Sequence, residues 1–176
     1  MVRLFLEREF EPRLTVSAVI AIAQDSEWCF AMHRVDWHGS LLSTDGSRMI
    51  CQFSAQDAES IRMALRKAQA DTQHLWRGTV HAVPDPSDPN VVVERSFAAP
   101  VAIEDLQAQE DAHGWCLETR RVKFARSFFS TDRKRMICLY SAPDAEAVRE
   151  AQREAQLPVD RVWAFERIAP KDLVGA

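Results

Sequence analysis

Glycine, cysteine and long apolar runs are scarce in this chain, and each scarcity excludes a class of protein. The 176 residues include only 5 glycines, and no glycine-rich phosphate-binding loop occurs among them. The 4 cysteines form no Cys-x-x-Cys pair, so neither a disulfide-stapled scaffold nor a redox motif is indicated. The longest apolar stretch, Leu14 to Ala23, is about ten residues long, whereas a membrane-spanning helix needs about 20.

An excess of charge is also missing. The chain has 22 Lys and Arg against 26 Asp and Glu, a formal net charge of −4. Proteins that bind nucleic acid non-specifically need an excess of positive charge, so this balance argues against that class. Charged residues interrupt the segment Met1 to Arg8 too early for a secretory leader. We therefore expect a cytoplasmic protein that binds neither nucleic acid nor a membrane.

The chain repeats itself after 87 residues without a gap. About a third of the aligned positions are identical, and the longest matches are Ser-Thr-Asp at 43–45 and 130–132 and Arg-Met-Ile-Cys at 48–51 and 135–138. A repeat of this length is the size of a small domain. The sequence therefore predicts a first repeat at 1–83, a proline-rich linker at 84–90, a second repeat at 91–170 and a short tail at 171–176.

Hydrophobic periodicity predicts the order of elements within one repeat. Alternation predicts strands, helical spacing predicts helices, and Thr15 is a plausible helix N-cap. Ser54-x-x-Asp57 and Ser141-x-x-Asp144 resemble capping boxes before the second helix of each repeat. The predicted elements of the first repeat are a strand at 2–9, a helix at 15–33, strands at 35–43 and 48–54 joined by a turn, a helix and a last strand at 73–83.

This order, βαββαβ, is that of the ferredoxin-like unit. Two such units predict an α+β fold in which tandem ferredoxin-like repeats pack sheet to sheet as a pseudo-dimeric α+β barrel. The chain would then be a monomer with an internal pseudo-dimer, or a homodimer.

The ordered motifs of the second repeat resemble a known family. They are Val91–Phe97, Ser130–Pro143, Glu146–Arg149 and Leu157–Arg161, and the first repeat matches them more loosely. The chain resembles two tandem copies of the domain-of-unknown-function family 4242, which is nickel-binding-protein-like. The resemblance implies a ferredoxin-like fold.

Some members of that family look like nickel-binding proteins, with paired histidines near the end of the first strand. Here those positions hold Arg8 and Glu9 in one repeat and Arg95 and Ser96 in the other. Nickel prefers imidazole nitrogen, and arginine cannot ligate because it stays protonated. The resemblance therefore does not predict a nickel site at these positions.

Strand alternation separates two faces of each predicted sheet. One face is apolar and would pack against the helices; it includes Cys51 and Cys138, which we interpret as small buried side chains. The other face is mixed and would border either a cavity between the repeats or an ion-pair network that seals them together. It supplies the candidate ligand-binding residues Glu7, Arg34, Asp36, His38, Trp76, Glu94, Arg121 and Trp163.

Two functions fit these residues. The first is a module that binds a small molecule or a metal in a cavity between the repeats, with His38 and His74 as the candidate metal ligands. Its cofactor is unknown, because the spacing of the histidines and cysteines does not support a metal site. The alternative is a cofactor-free enzyme of the dimeric α+β barrel type. In it His38 or Asp36 would act as a base and Arg34 would hold an anionic substrate. The lack of a nucleophile–base pair favours the binding module.

Overall fold

The computed structural model describes residues 1–72 and 74–173, and within them the chain forms both strands and helices. Six elements of the first half are β1 (Val2–Glu9), α1 (Val16–Met32), β2 (Asp36–Ser43), β3 (Arg48–Ala55), α2 (Ala58–Lys67) and β4 (Leu75–Ala82). The second half contains β5 (Val91–Ser96), α3 (Ile103–Ala112), α4 (Gly114–Thr119), β6 (Lys123–Ser130), β7 (Arg135–Ser141), α5 (Ala145–Glu154) and β8 (Arg161–Ile168), followed by a 3₁₀ turn at Pro170–Leu173. The predicted mixture of α and β structure is confirmed.

The chain divides into two compact units. The first unit comprises residues 1–78 and those from 166 onward, and the second unit comprises residues 79–165. In the first unit β1 pairs antiparallel with β3 and with β4, and β3 pairs with β2. In the second unit β5 pairs in the same way with β7 and β8, and β7 with β6. Each unit thus contains a sheet with the strand order expected for a ferredoxin-like fold.

The element boundaries agree closely with the sequence pattern. The predicted first strand ends at the same residues as β1, and Thr15 caps α1 by accepting a hydrogen bond from the Ala18 amide at 3.2 Å. The last strand of the first repeat was predicted to begin at Gln73, which lies outside the described residues, and β4 begins at Leu75.

An aspartate side chain accepts hydrogen bonds within the turn of each hairpin, β2–β3 and β6–β7. Asp45 accepts a hydrogen bond from the Ser43 hydroxyl at 2.6 Å and from the Ser47 amide at 3.0 Å. Asp132 accepts the corresponding bonds from Ser130 and from the Lys134 amide. These donors stabilise the ionised carboxylate and lower the pKa of Asp45 to about 2.

The predicted capping boxes are corrected by the structure. Asp57 and Asp144, not the serines three residues earlier, cap α2 and α5; each accepts a hydrogen bond from an amide in the first turn at 2.8 Å. Ser54 is still part of β3, because that strand continues to Ala55 before the chain turns into the helix. Ser54 instead bonds to His38.

The apolar face of each sheet packs against the helices of its own unit, as predicted. The core of the first unit includes Leu4, Leu6, Met49, Cys51 and Phe53, and that of the second includes Val91, Val93, Met136, Cys138 and Tyr140. The four cysteines are all buried, which confirms the interpretation of Cys51 and Cys138.

Strand β2 departs from simple alternation. The register with β3 shifts between Trp37 and Gly39, so His38 is an extra residue in a β-bulge. A bulge reverses the alternation of the residues that follow it. As a result Leu42 lies in the helix-side core, although counting from Trp37 would place it on the opposite face.

Gly46 is a position at which we expect a substitution by alanine to be costly. Its φ is +74°, and a Cβ atom would lie 2.1 Å from the backbone oxygen of Leu14. We expect Gly46→Ala to lower the free energy of unfolding by about 1–3 kcal/mol, measured by urea denaturation. Gly114→Ala is the matched control, because nothing lies within 4 Å of the added Cβ. Equal midpoints for Gly46→Ala and the wild type would contradict this assignment of strain.

Candidate functional site

The first unit contains a pocket of about 290 Å³ between its sheet and its two helices. We call it the helix-side pocket. A dry cavity of about 150 Å³ holds benzene, so this one has room for roughly a dozen non-hydrogen atoms. Ile22 and Gln69 are exposed and lie at its rim. Most of the wall is apolar, with contributions from Leu6, Val19, Phe30, Met49, Phe53 and Leu65.

A short chain of hydrogen bonds lines one side of the pocket. The Trp37 indole donates to the Ser40 hydroxyl at 3.2 Å, and that hydroxyl donates to the Cys51 sulfur at 3.0 Å. Burial raises the pKa of the Cys51 thiol to about 11. Because the thiolate is the reactive form, this cysteine is not a nucleophile at neutral pH.

Arg8 brings a positive charge into this apolar wall. The side chain is half-buried at the end of β1, and its guanidinium carbon lies 4.7 Å from the centre of the Phe10 ring. Among residues 1–72 and 74–173, no hydrogen bond or ion pair of this guanidinium is found. This group is therefore available to an anionic or hydrogen-bond-accepting ligand.

The corresponding arginine of the second unit, Arg95, is satisfied by its own chain. It is 3% exposed and donates to the Gln152 side-chain oxygen at 2.6 Å, to the Tyr140 hydroxyl at 3.3 Å and to the backbone oxygen of Pro158. The Tyr140 hydroxyl donates in turn to the Glu110 carboxylate. Burial raises the pKa of Glu110, and the Tyr140 hydrogen bond and the Arg95 charge oppose that rise.

Both units have the arginine, but the side chains around it differ. The 87-residue shift relates Glu110, Tyr140 and Gln152 to Ala23, Phe53 and Leu65. The first unit thus keeps the cation and replaces its three polar neighbours with apolar side chains, all of which line the helix-side pocket.

The second unit has a depression of its own, of about 440 Å³, beside α3. Glu110 and Ser127 belong to its lining, but Arg95 and Tyr140 do not. The Arg95 guanidinium is therefore not accessible to a ligand in this depression.

Four of the residues predicted for the site form two hydrogen-bonded pairs. The Trp76 indole donates to Glu7, and the Trp163 indole donates to Glu94, both at 2.7 Å. Glu94 is 3% exposed and also lies 2.7 Å from the Arg135 guanidinium and 3.8 Å from that of Arg161. These contacts account for the buried Glu94 charge within its own unit.

The other predicted residues are more exposed. His38 is half-buried in its bulge, with Nε2 2.7 Å from the Ser54 hydroxyl. Burial and the nearby charge of Arg3 lower the pKa of His38, and the Asp36 charge opposes them. The side chains of Arg34, Asp36, His74 and Arg121 are exposed.

Within the described ranges, no group of three or more His, Cys, Asp or Glu side chains is placed to hold a metal ion. The pair His38 and His74 stays a prediction. No helix in the same ranges is long and apolar enough to cross a membrane.

Sequence reasoning missed Arg8 and Ser40 as site residues. Arg8 follows Leu4 and Leu6 in the same alternation, so a charge on the apolar face of β1 was a readable signal. Ser40 was not readable in this way, because the bulge at His38 turns it toward the helix side. Gly39, with a φ of +122°, was the available hint of that bulge.

Comparison with known proteins supports a family resemblance in the second half. Residues 92–164 match the profile of a family described as nickel responsive protein SCO4226-like. This segment is less than half of the chain, and it lies within the predicted second repeat. No curated protein matches the sequence.

Solved structures extend the likeness to the fold of the chain. A candidate chlorite dismutase is similar over 99% of this chain and 97% of its own, with 10% identity and a TM-score of 0.53. A candidate monooxygenase from Lactobacillus acidophilus (10% identity, 94% and 92% covered) and an anthrone oxidase-like protein (10%, 96% and 91%) have TM-scores of 0.44 and 0.45. At such identities the first likeness shows a shared fold and nothing about activity.

The raised pKa of Glu110 predicts a pH-dependent effect of Glu110→Gln. A carboxyl whose pKa is raised by folding stabilises the folded state at low pH, and that contribution is lost as the pH rises through the folded-state pKa. Glutamine stays uncharged, and its oxygen can still accept from Tyr140. We therefore expect the stability of the variant relative to the wild type to increase between about pH 4 and about pH 7.

Urea denaturation across that pH range measures the effect. Glu104→Gln is the control, because Glu104 is exposed on the same helix. A relative stability of Glu110→Gln that falls with rising pH would show that the ionised carboxylate is the favoured form.

Proposed function

We propose that the protein binds a small molecule in the helix-side pocket of the first unit. The observation that carries this proposal is the pocket itself, an apolar space that opens at the surface and borders the Arg8 guanidinium, for which the described residues provide no hydrogen bond or ion pair. Ligand sites are clefts lined mainly by apolar side chains with a few polar groups, and the helix-side pocket has this composition.

The chemistry of the wall favours binding over catalysis. The described residues that line the pocket include no histidine, aspartate or glutamate that could move a proton. Cys51 is held in its thiol form, and the Ser40 hydroxyl is engaged as a donor to it. The groups present can hold and orient a ligand.

The sequence also predicted a cavity between tandem repeats in a pseudo-dimeric barrel, and that arrangement stays a prediction. The enzyme alternative has one observation in its favour. His38 lies in a β-bulge beside Ser54, and burial lowers its pKa. A lowered pKa favours the neutral imidazole, which is the form that acts as a base. If the wild-type protein converts a substrate, loss of that activity in His38→Ala with unchanged stability would favour the enzyme alternative.

Binding can be tested with 3-phenylpropanol, an uncharged molecule of the right size. We expect saturable binding, observed by ligand NMR, because its ring and chain match the apolar wall. Ala23→Phe should abolish binding by filling the pocket, since Ala23 lines it. Ala21→Phe is the matched control, on an exposed position of the same helix. Equal binding by the wild type and Ala23→Phe would overturn the proposal.

Nickel is the other ligand that the comparisons raise. Because arginine occupies one position of each histidine pair of the family, and Glu9 or Ser96 the other, no imidazole is present there. We therefore expect equilibrium dialysis to show no stoichiometric nickel on the purified protein. Stoichiometric nickel that is lost in His38→Ala or His74→Ala would contradict this expectation. It would support the predicted histidine pair.

A further inference from the structure

We infer that the ligand of the helix-side pocket is an amphipathic carboxylate whose head group binds Arg8; this inference rests on the proposed function. The second unit supplies the argument, because it shows the partners that the equivalent arginine, Arg95, receives from its own chain.

In the second unit a carboxylate belongs to the arginine's surroundings. Glu110 projects from α3, accepts the Tyr140 hydroxyl, and is connected through that hydroxyl to Arg95. The chain thus places an acid of its own beside a nearly buried guanidinium, inside a largely apolar core.

In the first unit two substitutions remove this internal acid. Ala23 stands where Glu110 carries the carboxylate, and Phe53 stands where Tyr140 carries the hydroxyl. Both residues line the same pocket as Arg8. A ligand carboxylate placed in that space would contact the guanidinium directly, with no bridging hydroxyl between them.

The chemistry of the pocket favours a carboxylate over other anions. A guanidinium presents its N–H donors in a fork that matches the two oxygens of a carboxylate. Among the described lining residues Arg8 is the single charged group. A phosphate or phosphonate would bring further negative charge into an apolar space with no second cation to compensate it.

The rest of the pocket defines the body of the ligand. Leu6, Val19, Phe30 and Leu65 form an apolar wall, and the volume accommodates roughly a dozen non-hydrogen atoms. This shape suits an arylalkanoate or a short fatty acid.

The decisive comparison pairs 3-phenylpropanoate with 3-phenylpropanol, which differ in the head group. We expect the carboxylate to bind the wild type roughly tenfold more tightly or better, because hydrogen bonds to charged groups are the stronger ones. Arg8→Met should remove this preference and leave the affinity for the alcohol unchanged. Arg62→Met is the matched control, since Arg62 is exposed on α2 and does not line the pocket.

A second variant keeps the test independent of the folding of Arg8→Met. Ala23→Glu restores an acid at the position of Glu110, so it should pair with Arg8 and reverse the preference for the carboxylate. A preference that persists in Ala23→Glu would overturn the inference.

The outcomes separate the inference from the proposed function. Equal binding of both probes by the wild type, or tighter binding of benzylphosphonate, would overturn the carboxylate assignment and leave the pocket as a binding site. Binding of neither probe would overturn the proposed function itself.

Discussion

The positive charge of Arg8, on the face of β1 that packs against the helices, is the constraint on which the site depends. A charge on the apolar face of a sheet must be paired or remain in contact with water. The second unit meets this requirement with Gln152, Tyr140 and a backbone oxygen, and Arg95 is buried as a consequence. The first unit keeps the charge without these partners, and Arg8 is only half-buried.

A small number of side chains therefore distinguishes the surroundings of the arginine in the two units. Strand pairing, the hairpin aspartates and the aspartate caps of α2 and α5 are alike at positions related by the 87-residue shift. The difference lies in three side chains around one arginine. The polar side chains of the second unit satisfy the charge of Arg95. The apolar side chains of the first unit leave the charge of Arg8 and the pocket beside it available to a ligand.

The sequence predicted much of the fold, because local chemistry decides it. Alternation predicted β1, Thr15 predicted the start of α1, and the turn predicted between residues 43 and 48 is the first hairpin. Prediction was weaker where two signals compete, as at Ser54, where strand continuation outweighed capping. The predicted site residues Glu7 and Trp76 do contact each other, but they pair as a hydrogen bond that the sequence pattern could not show.

The sequence by itself determined the 87-residue repeat of the pattern, the element order and the apolar face of the strands without a bulge, since these depend on periodicity and on neighbours a few residues apart. Only the tertiary structure decided where a ligand could enter. It turned Ser40 toward the pocket through a bulge. Among the described residues it also gave Arg95 three hydrogen-bond partners and left the Arg8 guanidinium without one. Partners such as Glu110 and Tyr140 lie 30 residues apart in the chain, and packing alone brings such residues together.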